Sequence, residues 1–256
     1  MRIYMGNIIE ELKRLFRQNG IPVFGIAESK LLENEPEGYK PSDVLSSASS
    51  ILCFGIPVPK GVLRDQKRVN KNYWRMASIY YHNIDVISSQ VAVIIEGQNE
   101  IASPIFSCFP VELRGPGDFL GNISLVRMAE TTGLGKIGKN GLIFHSLYGP
   151  RLMLGGIVTT ASLPTLTWPE RDDTGCPADC FVCQDICPAG AIDRIGKVDK
   201  PACVKYSMQS PFLSFMMKSK EYKVEDIASI FNTASVDGNA MYTCTKCISA
   251  CPKGYR

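Results

Sequence analysis

The chain has 256 residues, 45% of them hydrophobic, with 28 Lys and Arg against 25 Asp and Glu. A mean hydropathy of zero describes a globular chain with material for one generous core or two modest ones. The formal charge of +3 comes with no block of basic residues, so nothing in it calls for a nucleic-acid partner. No apolar run approaches the roughly 20 residues of a membrane helix, so no membrane partner is expected.

The opening run MRIYMGNIIEELKRLF lacks a signal-peptide apolar region and a twin-arginine pair, which points to the cytoplasm. Ile8, Ile9, Leu12, Leu15 and Phe16 recur at helical spacing, and Gly20 is a natural stop. IPVFGIA (21–27) and SILCFGIPV (50–58) read as buried strands, separated by a polar loop with room for one helical turn. Cys53 inside the second strand reads as a small core residue. Residues 70–96 carry an amphipathic pattern free of Pro and Gly, the mark of a long helix. On it, Tyr80 and Tyr81 read as core aromatics and His82 as structural or solvated. A role for the three as proton donors is the alternative.

Residues 100–110 read as an irregular strand, with Cys108 as a packing residue, and 111–122 as a loop. A helix is expected over 123–135 and a tight turn at GKIGKNG (135–141). LIFHSLYGPRLMLGGIVT (142–159) reads as a β-hairpin about SLYGP, its second strand fully buried. Residues 163–175 read as a linker, AIDRIGKVD as a small hairpin, and 200–217 and 224–232 as helices. Helices alternating with buried strands up to about residue 160 argue an α/β layer fold. The expected division is 1–165 and 166–256.

The second part is dominated by cysteine. Cys176, Cys180, Cys183 and Cys187-Pro188 are followed by Cys203, then by Cys244, Cys247 and Cys251-Pro252. Ferredoxin-type runs wrap three thiolates around one iron–sulfur cube, and the Cys before Pro ligates the other cube. Eight cysteines thus suit two 4Fe-4S clusters. Cys176, Cys180, Cys183 and Cys251 would hold one, and Cys187, Cys203, Cys244 and Cys247 the other. Cys176 departs slightly, with three residues before Cys180 where the bacterial run has two. A closed zinc site and disulfides are the competing readings of the same thiols. Each loaded cluster with its thiolates carries about −2, so the loaded protein is near neutral or slightly acidic.

Residues 133–141 (GLGKIGKNG) have glycines spaced for close approach to a ligand. They fail as a phosphate loop because Asn140 stands where Ser or Thr is needed. They fail as a dinucleotide fingerprint because a helix precedes them and no acidic residue follows about twenty positions on. Spacing alone leaves a ligand-approach loop or a helix-capping turn.

GLGKIGKNGLIF (133–144) and GPRLMLGGIVTT (149–160), followed by the paired cysteine runs, resemble the epoxyqueuosine reductase family. These are iron–sulfur proteins related to the catalytic core of reductive dehalogenases. The resemblance implies a nitroreductase-like α/β sheet domain joined to a C-terminal two-cluster ferredoxin-like domain. It also implies a cobalamin cofactor between them, reduced by the nearer cluster for reductive removal of an epoxide oxygen or a halide. Gly133, Gly135, Gly138, Lys139 and Asn140 match the family turn and are the expected cofactor-binding residues.

The chain also departs from the family. Lys136 replaces a Trp. In FLGNISLVRMAETTGLG (119–135) the family's Asp-x-x-Pro…Glu-Arg pattern is missing: Asp118 is one place off, and Asn122, Leu125 and Val126 fill the other places. With that proton donor displaced and the family's C-terminal extension lacking, no catalytic residue is assigned and tRNA is not expected as a partner. The expected partners are a small-molecule or corrinoid-linked substrate and an external low-potential electron donor. A non-catalytic cobalamin carrier or reductive activator, a ferredoxin-type electron-transfer protein with a flavin or docking domain, and a zinc-stabilised binding module are the alternatives.

Overall fold

The computed structural model describes residues 5–65, 67–107, 112–115, 118–167, 175–207 and 244–255. In chain order these form α1 (Met5–Gln18), β1 (Val23–Glu28), α2 (Pro41–Val44), β2 (Ser50–Pro57), α3 (Lys60–Arg64), α4 (Val69–Glu96) and β3 (Ala102–Ile105). Then come β4 (Glu112–Gly115), β5 (Asp118–Leu120), α5 (Leu125–Thr131), β6 (Lys136–Ile137), β7 (Ile143–Phe144) and β8 (Leu152–Thr159). The cysteine-bearing part supplies α6 (Val182–Asp185), α7 (Lys200–Ser207) and α8 (Lys246–Ser249).

The architecture is mixed α/β. Its main sheet runs β1-β2-β8-β3, and every pairing in it is antiparallel. Alternating helices and strands do not fix strand direction. Here the connection over 29–49, with its 3₁₀ turn at Ser29–Leu32 and α2, returns the chain antiparallel. The expected hairpin over 142–159 is corrected. Its second limb is indeed the fully buried β8, but β8 pairs with β2 and β3, while the two-residue β7 pairs with β6. The turn itself is closed by reciprocal bonds between His145 and Gly149. The expected loop 111–122 contains the short β4–β5 ladder. The linker contributes Leu166, which bonds to Ile26 on the edge of the sheet.

The sheet faces divide by period two, as side chains on a strand must. Leu52, Phe54 and Ile56 of β2 join Met153 and Ile157 of β8 in one core with α1 and α4. Ile51 and Cys53 join Leu152, Leu154 and Val158 on the other face, under α5. Two adjacent glycines of β8 serve these two faces. A Cβ on Gly155 would lie 2.4 Å from Ile84 Cγ2 on α4, and one on Gly156 would lie 2.9 Å from Leu125 Cδ2 and Met128 Cε on α5.

Across the sheet Gly25 is opposite Cys53, and Cys53 is opposite Gly156. This row of small residues lets α5 settle close to the strands. Its last residues reach β1 so nearly that a Cβ on Gly25 would stand 2.1 Å from Thr132 O. The fully buried Cys53 thiol lies 3.8 Å from Leu125 O, and burial raises its pKa well above the usual thiol range. It is a core residue, as its sequence context suggests. Cys108, residues 208–217 and the expected helix 224–232 lie outside the described residues.

Candidate metal centre

The two cysteine runs are structural copies. Adding 64 to the numbers of Cys180, Cys183, Cys187 and Pro188 gives Cys244, Cys247, Cys251 and Pro252. The backbone repeats with the sequence. Gln184 and Asp185 N–H donate to Phe181 O, and Ile248 and Ser249 N–H donate to Thr245 O. Ile186 donates to Val182 O as Ala250 does to Lys246 O, and Cys187 to Gln184 O as Cys251 does to Ile248 O. Gly190 donates to Cys187 O as Gly254 does to Cys251 O. In each copy a four-residue helical turn carries the middle thiol and ends before Cys-Pro. Proline suits that exit because it needs no backbone donor. The two turns, α6 and α8, pack against one another.

The thiols fall into two interleaved groups. Burial raises the pKa of Cys183, and the neighbouring Cys176, Cys180 and Cys251 raise it further. Burial likewise raises Cys251, with Cys176 and Cys180 adding to the effect. In the second group burial raises Cys203, assisted by Cys187 and Cys244. Cys247 is pushed up to about 12, by burial first and then by Cys244, Cys203, Cys183 and Cys187. Each Cys-Pro thiol thus sits with the other run's group, and Cys183 and Cys247 lie where the groups meet. The Cys187 sulfur also accepts from Ala191 N–H at 3.3 Å. All eight thiols are free. No three His, Cys, Asp or Glu side chains among the described residues form a site for a single metal ion. Eight thiols in two interleaved fours suit two polynuclear iron–sulfur cubes.

The second run is rooted in the main core. Ile248 is buried together with Tyr73 of α4, with Cys247 packed beside them. Thr245, fully buried, donates from Oγ1 to Asn70 Oδ1 at 2.5 Å. Burial raises the Tyr73 phenol far above its ordinary range, and Cys247 adds to the shift.

The glycine turn docks on both runs. Gly135 has φ +155°, and a Cβ there would stand 2.2 Å from Phe144 O, so the β6–β7 ladder needs glycine. Five backbone donors of the turn are spent internally: Gly133 on Glu130 O, Leu134 on Ala129 O, Gly138 on Leu142 O, Gly141 on Gly138 O and Ile137 on the Glu130 carboxylate. Lys139 Nζ donates to Pro177 O, Ala178 O and Cys180 O at 2.9, 2.7 and 2.8 Å. Asn140 accepts from Leu142 N–H and places Nδ2 3.5 Å from Cys247 O. The side chains of Lys139 and Asn140 are thus directed at the protein's own cysteine loops.

Of the other candidates, Tyr80 and Tyr81 pack against the core and His82 is exposed. His145, which no motif in the sequence singles out, is 1% exposed. Burial lowers the His145 pKa to about 4. Its Nδ1 accepts from Leu147 N–H, and its ring lies 4.9 Å from that of Tyr148. Arg151, buried and donating to Val58 O, flanks the same tyrosine. Nothing in the spacing of HSLYGPR distinguishes these three from an ordinary turn.

Fold and thiol array together define a mixed α/β protein with a doubled, interleaved cysteine motif. The chain is a divergent relative of the epoxyqueuosine reductases. It is 28% identical over 189 residues to that of Lactococcus garvieae (strain Lg2), covering 70% of this chain and 48% of the relative. The chain thus spans about half the length of that curated relative, and 30% of the one from Bacillus anthracis. No protein-family model matches it. In fold it resembles epoxyqueuosine reductase crystallised with an epoxyqueuosine-modified tRNA-Tyr stem loop, with TM-score 0.59, 18% identity and coverage of 98% of this chain and 66% of that one. It also resembles a reductive dehalogenase whose structure suggests a mechanism for B12-dependent dehalogenation, with TM-score 0.55, 15% identity and coverage of 90% and 35%. The stem-loop complex overturns the expectation that tRNA is not a partner, which rested on one displaced Asp and on chain length. No described helix is long and apolar enough to cross a membrane.

Proposed function

We propose that this chain is an iron–sulfur oxidoreductase whose two 4Fe-4S clusters supply electrons to cobalamin for reductive chemistry on an epoxide or halide. Cys176, Cys180, Cys183 and Cys251 hold one cluster, and Cys187, Cys203, Cys244 and Cys247 hold the other. The observation that carries this reading is the bond-for-bond repeat of the two runs at an offset of 64, with each Cys-Pro thiol seated in the opposite group. Such crossing is the ferredoxin arrangement. The proposed division into 1–165 and 166–256 is one of labour, the first part for the substrate and cobalamin and the second for the electrons, since Ile248 shares the first part's core.

Cobalamin enters through the relatives and the B12-dependent fold neighbour. When bound it supplies a strongly reducing cobalt centre. Gly133, Gly135, Gly138, Lys139 and Asn140, on the turn that matches the family motif, are the proposed cofactor-binding residues. An epoxide-bearing nucleoside in tRNA stands among the substrates, by analogy with the stem-loop complex. The cytoplasm, where thiols stay reduced, is the fitting compartment.

The test is metal, sulfide and corrinoid analysis of protein prepared without oxygen. About eight iron and eight sulfide per chain are expected, as two cubes require, with added cobalamin retained on gel filtration. Zinc without iron refutes the cluster assignment, and corrinoid that elutes free refutes the cobalamin assignment.

A further inference from the structure

We propose that Lys139 is a positioning residue for the first cysteine group: it pins the loop that carries Cys176, Cys180 and Cys183 and biases the reduction potential of the cluster held there. The inference rests on the cluster assignment above. Lys139 sits on the turn after β6, yet all three of its ammonium donors go to carbonyls 38 to 41 residues away, at Pro177, Ala178 and Cys180. The ammonium also lies 4.6 Å from the centre of the Phe181 ring, whose vicinity it shares with the Arg194 guanidinium at 5.3 Å. The backbone of the turn is brought close by Gly196, where a Cβ would stand 3.3 Å from Lys139 Cα. Arg194 pairs with Asp185, whereas none of the ion pairs among the described residues includes Lys139. Among the described residues its positive charge has no carboxylate partner.

Two consequences follow from elementary chemistry. A trans peptide points its C=O and N–H in opposite directions. Holding the carbonyls of 177, 178 and 180 toward Lys139 therefore turns the N–H groups of 178, 179 and 181 away from it, free to donate to sulfur enclosed by the loop. Such hydrogen bonds and the local charge are what set a cluster's potential. Reduction adds one negative charge to the cube, and a fixed cation beside it favours the reduced form. At the position matching Phe181, whose ring Lys139 faces, the second run has Thr245, tied to the neutral Asn70.

The experiment is a redox titration, followed by electron paramagnetic resonance, of the anaerobically loaded full chain as wild type, Lys139→Gln and Lys139→Arg. In Lys139→Gln one of the two clusters is expected to become about tenfold harder to reduce, about 59 mV for a one-electron couple, while the other stays put. Lys139→Arg is expected to hold both potentials near wild type. The proposal is overturned if Lys139→Gln moves neither potential or both equally, or if Lys139→Arg shifts as far as Lys139→Gln. If Lys139→Gln fails to load iron, Lys139→Arg decides: loading at wild-type potentials supports the proposal, and failure to load refutes it. Wild-type protein without iron instead removes the cluster assignment, and this inference with it.

Discussion

Replacing Ile248 by Ala tests whether the second cysteine run is held by the sheet-and-helix core. Ile248 is 7% exposed and belongs to the same buried cluster as Tyr73, Ala77 and Leu63. The substitution removes three carbons, at about 0.8 kcal/mol each, or about 2.4 kcal/mol of transfer free energy. The cavity left behind adds to this, and the usual span for Ile→Ala in a core is about 2–5 kcal/mol. We expect about 3 kcal/mol. For a chain of this size each kcal/mol moves the unfolding midpoint by about 2–4 °C, so Tm should fall by about 6–12 °C. α8 is one turn long and is secured besides by Thr245 on Asn70, so the loss should appear first at its own amides. Thermal unfolding, together with amide hydrogen exchange over 244–255, reads both effects. A midpoint within 1 °C of wild type and unchanged exchange would refute the view that this run is rooted in the core.

Gly25→Ala sets a methyl group 2.1 Å from Thr132 O. It should cost about 1–3 kcal/mol as overpacking, read as a lower urea midpoint, and an unchanged midpoint counts against the close seat of α5. Cys53→Ser should leave iron content unchanged, because Cys53 lies in the sheet under α5; loss of iron would break the ligand assignment. His145 titrates at about 4, held down by burial, against an ordinary 6.5. A depressed histidine gives stability that is present above pH 6.5 and lost as the pH falls through 4, at most about 3 kcal/mol. Urea midpoints measured from pH 7 to 4 should fall less steeply in His145→Gln, and equal slopes would refute this.

Much of the scaffold can be read from the residues. Periodicity locates α1 and α4, and continuous apolar runs locate β1, β2 and β8, because burial on one face or both leaves a direct mark. Strand partners are harder. SLYGP between two apolar runs looks like a hairpin, but β8 finds its neighbours in β2 and β3, and that choice is made by long-range packing. Cys53 is legible as a core residue. The need for a small residue there is not, because it depends on Gly25 and Gly156 lying alongside in register. The cysteine spacing marks the two repeated turns, α6 and α8, because each is local, whereas the crossing of the Cys-Pro thiols depends on the two runs packing together. Lys139 matches a motif by sequence, but its three acceptors lie far along the chain and only folding reveals them.

The interleaving of the thiols bears on how such a protein is made. Cys251 sits with Cys176, Cys180 and Cys183, and Cys244 and Cys247 sit with Cys187 and Cys203. A ribosome that has reached residue 243 has produced only three members of the first set and two of the second. The second set is complete only when Cys247 has left the exit tunnel and the first only when Cys251 has, so under the proposed assignment neither cluster can be fully ligated until the second run is made.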